Sequence, residues 1–237
     1  MQEVFARVDQ AKLVRPFDAV LFDLDGTLCR RTQDTDRIYQ RAFERVGVEP
    51  FGKSESLWAT LRGPPDHDDR VGYIGAGFAR LAAQHDRTGV DTLALADALT
   101  DLVDDSQVAL RPGAETALDS ATAAGAVGLV TNGPERRQRT KLDALGITDR
   151  FDTRVYAFDL PRRKPHAAPF DRALDALEAT PDRALFVGNS LAYDVAGAHN
   201  AGLPVAWLGN GEGPEPYSPD HVLESIGELD ALLAGEQ

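Results

Sequence analysis

Ala19-Val20-Leu21-Phe22-Asp23-Leu24-Asp25-Gly26-Thr27 is the stretch that decides the architecture of this chain. Four apolar residues in a row end abruptly in Asp-x-Asp-Gly. That pattern reads as a buried parallel strand whose C-terminal end opens into a polar loop. Downstream of Arg111-Pro112-Gly113 the same motif of apolar run and helix recurs. Helical patterns over 114–124, 134–145, 169–177 and 193–200 alternate with strand patterns over 127–130, 151–157, 184–187 and 204–208. Short apolar strands separated by helices of about ten residues predict an α/β fold, a Rossmann-like doubly wound parallel sheet.

Between the opening strand and this alternating half the texture changes. Ile38, Ala42, Phe43 and Val46 share one helical face that stops at Gly47. Further helical patterns cover 54–61, 69–84 and 91–103, with no strand pattern among them. The chain therefore divides into an N-terminal helical extension (1–16, closed by Pro16), an α/β core (17–30 and 110–237) and an all-helical insertion (31–109). Loops are expected at 63–68 and 209–219. Within the insertion, Gly72-x-x-Gly75-Ala-Gly77 reads either as close helix packing or as a substrate-facing bend. Asp66-His67-Asp68-Asp69 reads as a solvated acidic loop.

Composition narrows the function. The chain has 237 residues, 43% of them hydrophobic, enough for a proper core. No run approaches the roughly 20 apolar residues of a membrane span, and the first residues lack the order of a secretory signal. A single cysteine, Cys29, excludes an internal disulfide framework or a multi-cysteine metal site and is read as packing. These features predict a soluble, cytoplasmic protein. The net charge of −13 argues against nucleic acid and against anionic membrane surfaces. Acidic residues are 26 Asp and 12 Glu, while the basic ones are 21 Arg and only 4 Lys. Asp excess with Lys scarcity favours adaptation to high salt, where self-repulsion is screened.

In a doubly wound sheet, ligands bind beyond the carboxyl ends of the strands. Polar residues gather where the apolar runs stop: Asp23 and Asp25, Thr131 and Asn132, and Gly188-Asn189-Ser190 with Asp194 shortly after. Lys164 stands in the loop after the 151–157 segment, and its neighbours Arg162 and Arg163 are read as surface cations. Phosphoryl transfer asks for this set. One carboxylate can attack and form an acyl-phosphate, and a second can protonate the leaving oxygen and then activate water. Oxygen ligands near both suit Mg²⁺. A lysine and a hydroxyl can hold the phosphoryl oxygens, and Gly26 lets the chain turn tightly beside them.

Asp23-x-Asp25-Gly26-Thr27, Thr131-Asn132, Arg163-Lys164-Pro165 and Gly188-Asn189-Ser190-x-x-x-Asp194 resemble, in order, the four motifs of the haloacid dehalogenase-like (HAD) hydrolase superfamily. The resemblance runs from about residue 17 to the end. It implies a Rossmann-like core with a mobile helical cap between the first two motifs, and a phosphatase using Mg²⁺ on a small phosphate ester. Asp23 is then the nucleophile and Asp25 the general acid/base, whose backbone carbonyl also ligates the metal. Thr131, Asn132 and Lys164 face the phosphoryl group, and Asp23, Asp25, Asn189 and Asp194 form the metal set. The fourth motif departs from the family pattern, which begins Gly-Asp where this chain has Gly188-Asn189. If that position supplies the direct metal ligand, the ligand is neutral here and metal binding leans on Asp23 and Asp194; the direct ligand is either Asn189 or Asp194. Alternatives on the same motifs are a 2-haloacid dehalogenase, which gains nothing from Asp25, a phosphomutase, and a phosphate-binding regulatory protein with little turnover.

Overall fold

The computed structural model describes residues 17–61, 68–209, 211 and 213–235. The helix expected over 1–16 and most of the loop at 63–68 lie outside these residues. The strands are β1 (Ala19–Phe22), β2 (Cys29–Arg31), β3 (Val108–Leu110), β4 (Ala126–Thr131), β5 (Thr153–Tyr156), β6 (Ala184–Gly188), β7 (Val205–Leu208) and β8 (His221–Leu223). The helices are α1 (Thr35–Val46), α2 (Ser54–Thr60), α3 (Arg70–Gln84), α4 (Thr92–Leu102), α5 (Ala114–Ala124), α6 (Glu135–Leu145), α7 (Ala168–Leu177), α8 (Ala196–Asn200) and α9 (Leu229–Ala234).

Among the described residues the main sheet is parallel, in the order β5-β4-β1-β6-β7-β8. From β1 the chain moves outward through β4 and β5, then crosses back to β6 on the other side of β1. The strand order therefore reverses between β1 and β6, which opens a crevice at their carboxyl ends. The apolar run of β1 is continuous because both faces are covered. Val20 and Phe22 join a core with α5, α6 and α9, while Ala19 and Leu21 join a second core with α7 and α8.

Helices α1 to α4 form the insertion between β2 and β3. They have their own core, built on Tyr39, Phe43, Phe51 and Phe78. Phe43 packs edge-on against Phe51 and Phe78 at centroid distances of 5.0 and 5.8 Å. The glycines of α3 serve helix packing: a side chain at Gly75 would collide with Leu93 of α4, and one at Gly77 with Leu61.

Three features differ from the sequence-based expectation. The base of the insertion is a short antiparallel ribbon, β2 against β3. Its three-residue strands are too brief to show a period of two. The helix expected over 193–200 begins as a single wide π turn, Leu191–Val195, before continuing as α8. The C-terminal segment adds the edge strand β8 and the helix α9, neither of which the spacing predicted.

Candidate active site

The residues at the strand ends converge on one cleft of about 970 Å³. Asp23 follows β1, Thr131 ends β4 and Asn189 follows β6, so the crevice at the reversal of strand order holds all three. Asp25, Asn132, Lys164 and Asp194 line the same cleft.

Lys164 is the hub. It is 3% exposed. Its ammonium group donates to Asp23 Oδ1 at 2.9 Å, to Asp194 Oδ1 at 2.7 Å and to the carbonyl of Val130 at 2.9 Å. Burial works against its charge, yet Asp194 and Asp23 hold its pKa above the ordinary lysine value. Asp23 is buried too, and burial is the main force on its carboxyl. Lys164 opposes that force and Asp194 adds to it, and the net effect raises Asp23 to about 7. Two buried carboxylates thus share one ammonium.

The opposite oxygen of Asp23 faces the fourth-motif loop. The Thr27 hydroxyl lies 3.2 Å from Asp23 Oδ2 and 3.1 Å from Asn189 Oδ1, which sets these two oxygens on either side of one group. Gly26 makes that approach possible. Its φ is +88°, and a side chain there would meet the Asn189 carboxamide. Asn189 is steadied from behind by Trp207, whose indole N–H donates to the Asn189 backbone carbonyl at 2.9 Å. Asp194 points back from the π turn. Its Oδ2 accepts from the backbone N–H of Asn189 at 3.0 Å and of Ser190 at 2.8 Å, and its Oδ1 from Lys164. Widened turns of this kind are often found at functional sites.

The Asn132 carboxamide is committed to the Lys164 backbone, donating to its carbonyl at 3.0 Å and accepting from its N–H at 2.9 Å. It clamps the loop that carries Lys164. Thr131 is held by Gln138, whose carboxamide donates to its hydroxyl at 2.6 Å.

Two functional candidates escaped the sequence analysis. Gln138 and Lys141 lie one turn apart on α6, 1% and 3% exposed. Lys141 Nζ bonds both oxygens of Asp25, and Gln138 donates to Asp25 Oδ2 at 2.9 Å. Burial raises the Asp25 carboxyl, but Lys141 and then Gln138 outweigh it and hold the group below its usual range. Lysine scarcity was the available signal, since two of the chain's four lysines are in this site. Arg163 also differs from expectation. It lines the cleft and stacks over Phe158 at 4.1 Å, while Arg162 is exposed.

A parallel sheet with a helical insertion, and carboxylates and a buried lysine gathered at its switch point, defines an α/β enzyme of the capped type. Residues 17–202 match the haloacid dehalogenase-like hydrolase family, and the chain belongs to it. Phosphoglycolate phosphatase of Cereibacter sphaeroides is 36% identical over 213 residues, covering 87% of this chain and 92% of its own. Pyrimidine 5'-nucleotidase YjjG of Escherichia coli is 29% identical over 228 residues, covering 92% of this chain and 98% of its own. The HAD hydrolase YfnB of Bacillus subtilis, solved bound to magnesium, superposes with a TM-score of 0.72 at 20% identity. That superposition covers 92% of this chain and 99% of YfnB.

Proposed function

We propose that this hydrolase is a Mg²⁺-dependent phosphatase that removes phosphate from a small phosphorylated metabolite through an aspartyl-phosphate on Asp23. The observation that carries this reading is the enclosed Lys164, bound to Asp23 and Asp194 at the mouth of the β1–β6 crevice with Asp25 two residues on. An ammonium group bound to a nucleophilic carboxylate is placed to stabilise charge on a phosphoryl group carried by that carboxylate.

The residues fit a hard cation. Asp23 Oδ2 and Asn189 Oδ1 flank Thr27 as neighbouring oxygen donors, and the buried carboxylates outnumber their one ammonium. Asp23, Asn189 and the Asp25 carbonyl would hold Mg²⁺, which supplies charge neutralisation for the phosphoryl oxygens. Both oxygens of Asp194 are engaged by Lys164 and the Asn189–Ser190 backbone. We therefore assign Asp194 to orienting that loop rather than to direct ligation.

In the first step an Asp23 oxygen attacks phosphorus, the ester oxygen leaves with its bonding electrons, and Asp25 gives it a proton. In the second, Asp25 takes a proton from water as the water oxygen attacks the aspartyl-phosphate. Inorganic phosphate departs and Asp23 is restored. Thr131 and Lys164 hold the phosphoryl oxygens, and Asn132 keeps Lys164 in register. The Lys141 ion pair orients Asp25 toward the cleft and favours the ionised form that takes the proton from water in the second step.

The test is hydrolysis of p-nitrophenyl phosphate and a panel of metabolite phosphates with Mg²⁺, with EDTA and with Asp23→Asn. Metal-dependent release lost on substitution supports the phosphatase. Metal-independent halide release from 2-chloropropionate would sink it. The acidic, lysine-poor composition supports a salt-rich cytoplasmic setting, so the assay is run in low and multimolar KCl, with higher activity and melting temperature expected in the latter.

A further inference from the structure

The carboxamide of Gln138 joins two groups that act on opposite ends of the bond to be broken. Its Nε2 donates to the Thr131 hydroxyl at 2.6 Å and to Asp25 Oδ2 at 2.9 Å. Chemistry fixes which end of the carboxamide faces this way. An ionised carboxylate can only accept, so the atom against Asp25 is the NH₂ nitrogen and not the carbonyl oxygen. That nitrogen can only donate, so Thr131 Oγ1 is forced to accept as well. The backbone N–H of Gly133 makes a second, longer bond to the same Oγ1 at 3.5 Å.

A threonine hydroxyl has two lone pairs and one proton. With both lone pairs facing N–H groups, only the proton is left for a ligand. Among the described residues the Thr131 hydroxyl donates to no protein group. Thr131 is 1% exposed and lines the cleft, so its proton is reserved for an anion bound there. A hydroxyl free to rotate could instead turn a lone pair toward that anion and repel it. Gly133 admits the carboxamide, because a side chain at that position would stand 2.6 Å from Gln138 Nε2.

We propose that Gln138 is a positioning residue, holding the Thr131 proton on the phosphoryl oxygens with one N–H and Asp25 beside the leaving oxygen with the other. This rests on the phosphatase reading for what occupies the cleft. One buried carboxamide then sets both the grip on phosphate and the delivery of the proton.

Calorimetric titration with inorganic phosphate in Mg²⁺ reads the Thr131 arm without turnover. Gln138→Met is expected to weaken binding about tenfold when Thr131 is present, and less than about twofold in a Thr131→Val background. Gln138→Glu keeps the shape but offers at most one proton to the two acceptors, and is expected to lose affinity as well. Melting temperature is the folding control for each variant. The Asp25 arm is read in kcat/KM on two esters, since p-nitrophenolate leaves readily without a proton and phenolate does not. Gln138→Met is expected to lower kcat/KM on phenyl phosphate about fivefold more than on p-nitrophenyl phosphate, whereas a merely structural role lowers both alike. Phosphate affinity untouched by Gln138→Met, a loss of equal size with and without the Thr131 hydroxyl, or equal losses on the two esters overturns the proposal. Phosphate release that persists in Asp23→Asn removes the phosphatase reading instead, so either can fail alone.

Discussion

Lys141 Nζ lies 2.6 Å from Oδ1 and 2.7 Å from Oδ2 of Asp25, so a buried lysine on α6 grips the carboxylate proposed as general acid/base. The lysine side chain is 4% exposed and that of the aspartate 47%, so the pair is a buried cation presenting its partner to the cleft. Lys141→Met keeps an unbranched side chain one atom shorter and removes the charge. Acid/base groups contribute about 10²–10⁴-fold to rate, and a mispositioned one forfeits part of that. We expect kcat on p-nitrophenyl phosphate to fall about tenfold or more with KM changed much less. An unchanged kcat in a folded variant would show that Asp25 needs no partner there.

Asn189 puts a neutral oxygen beside Asp23. Cation affinity rises steeply with the number of charged ligands, so Asn189→Asp is expected to lower the Mg²⁺ concentration for half-maximal activity about tenfold. The indole of Trp207 bonds the Asn189 backbone carbonyl, so its fluorescence in a Trp58→Phe background reports the same titration without turnover. Equal midpoints in the two proteins would place the metal elsewhere.

Asp105 predicts an acid-dependent loss of stability. Burial raises its carboxyl, but the Arg137 and Arg31 hydrogen bonds outweigh burial and hold it far below the usual range. A carboxyl depressed in the folded state stabilises fully above its unfolded value of about 3.9. That contribution disappears as pH falls from there through the folded value. Urea unfolding of wild type and Asp105→Asn is expected to differ by about 1–3 kcal/mol at pH 7, the gap narrowing below about pH 4. A gap that stays constant with pH would rule out the carboxylate as its source.

Cys29 is 1% exposed, and burial, with Asp25 nearby, pushes its thiol up to about 12. The thiolate is the reactive species. Dithionitrobenzoate at pH 8 is therefore expected to leave the native protein unmodified over hours and to titrate one thiol at once in guanidinium. Rapid reaction of the native protein would mean that the β2 ribbon opens.

The elements legible in the sequence are those whose signal is local. Ala19–Phe22 and Ala184–Gly188 are apolar throughout because both faces of their strands are buried, and α1 shows its start and stop in Asp34 and Gly47. The β2–β3 ribbon was not legible, because its stability comes from pairing residues almost eighty positions apart.

By itself, the sequence determined a parallel α/β core with a helical insertion. It also determined that Asp23, Asp25, Thr131, Asn132, Lys164 and Asn189 stand at the ends of strands or in the loops beside them, with Asp194 at the start of the helix that follows. Spacing and polarity encode such positions directly. Only the tertiary structure decided what each group touches: that Lys164 joins Asp23 to Asp194, that Asn132 is spent on a loop, and that Gln138 and Lys141 belong to the site. It alone gathered Arg31 and Arg137 around Asp105. A side chain's electrostatic partners are set by how distant elements pack, and no local pattern in the chain records them.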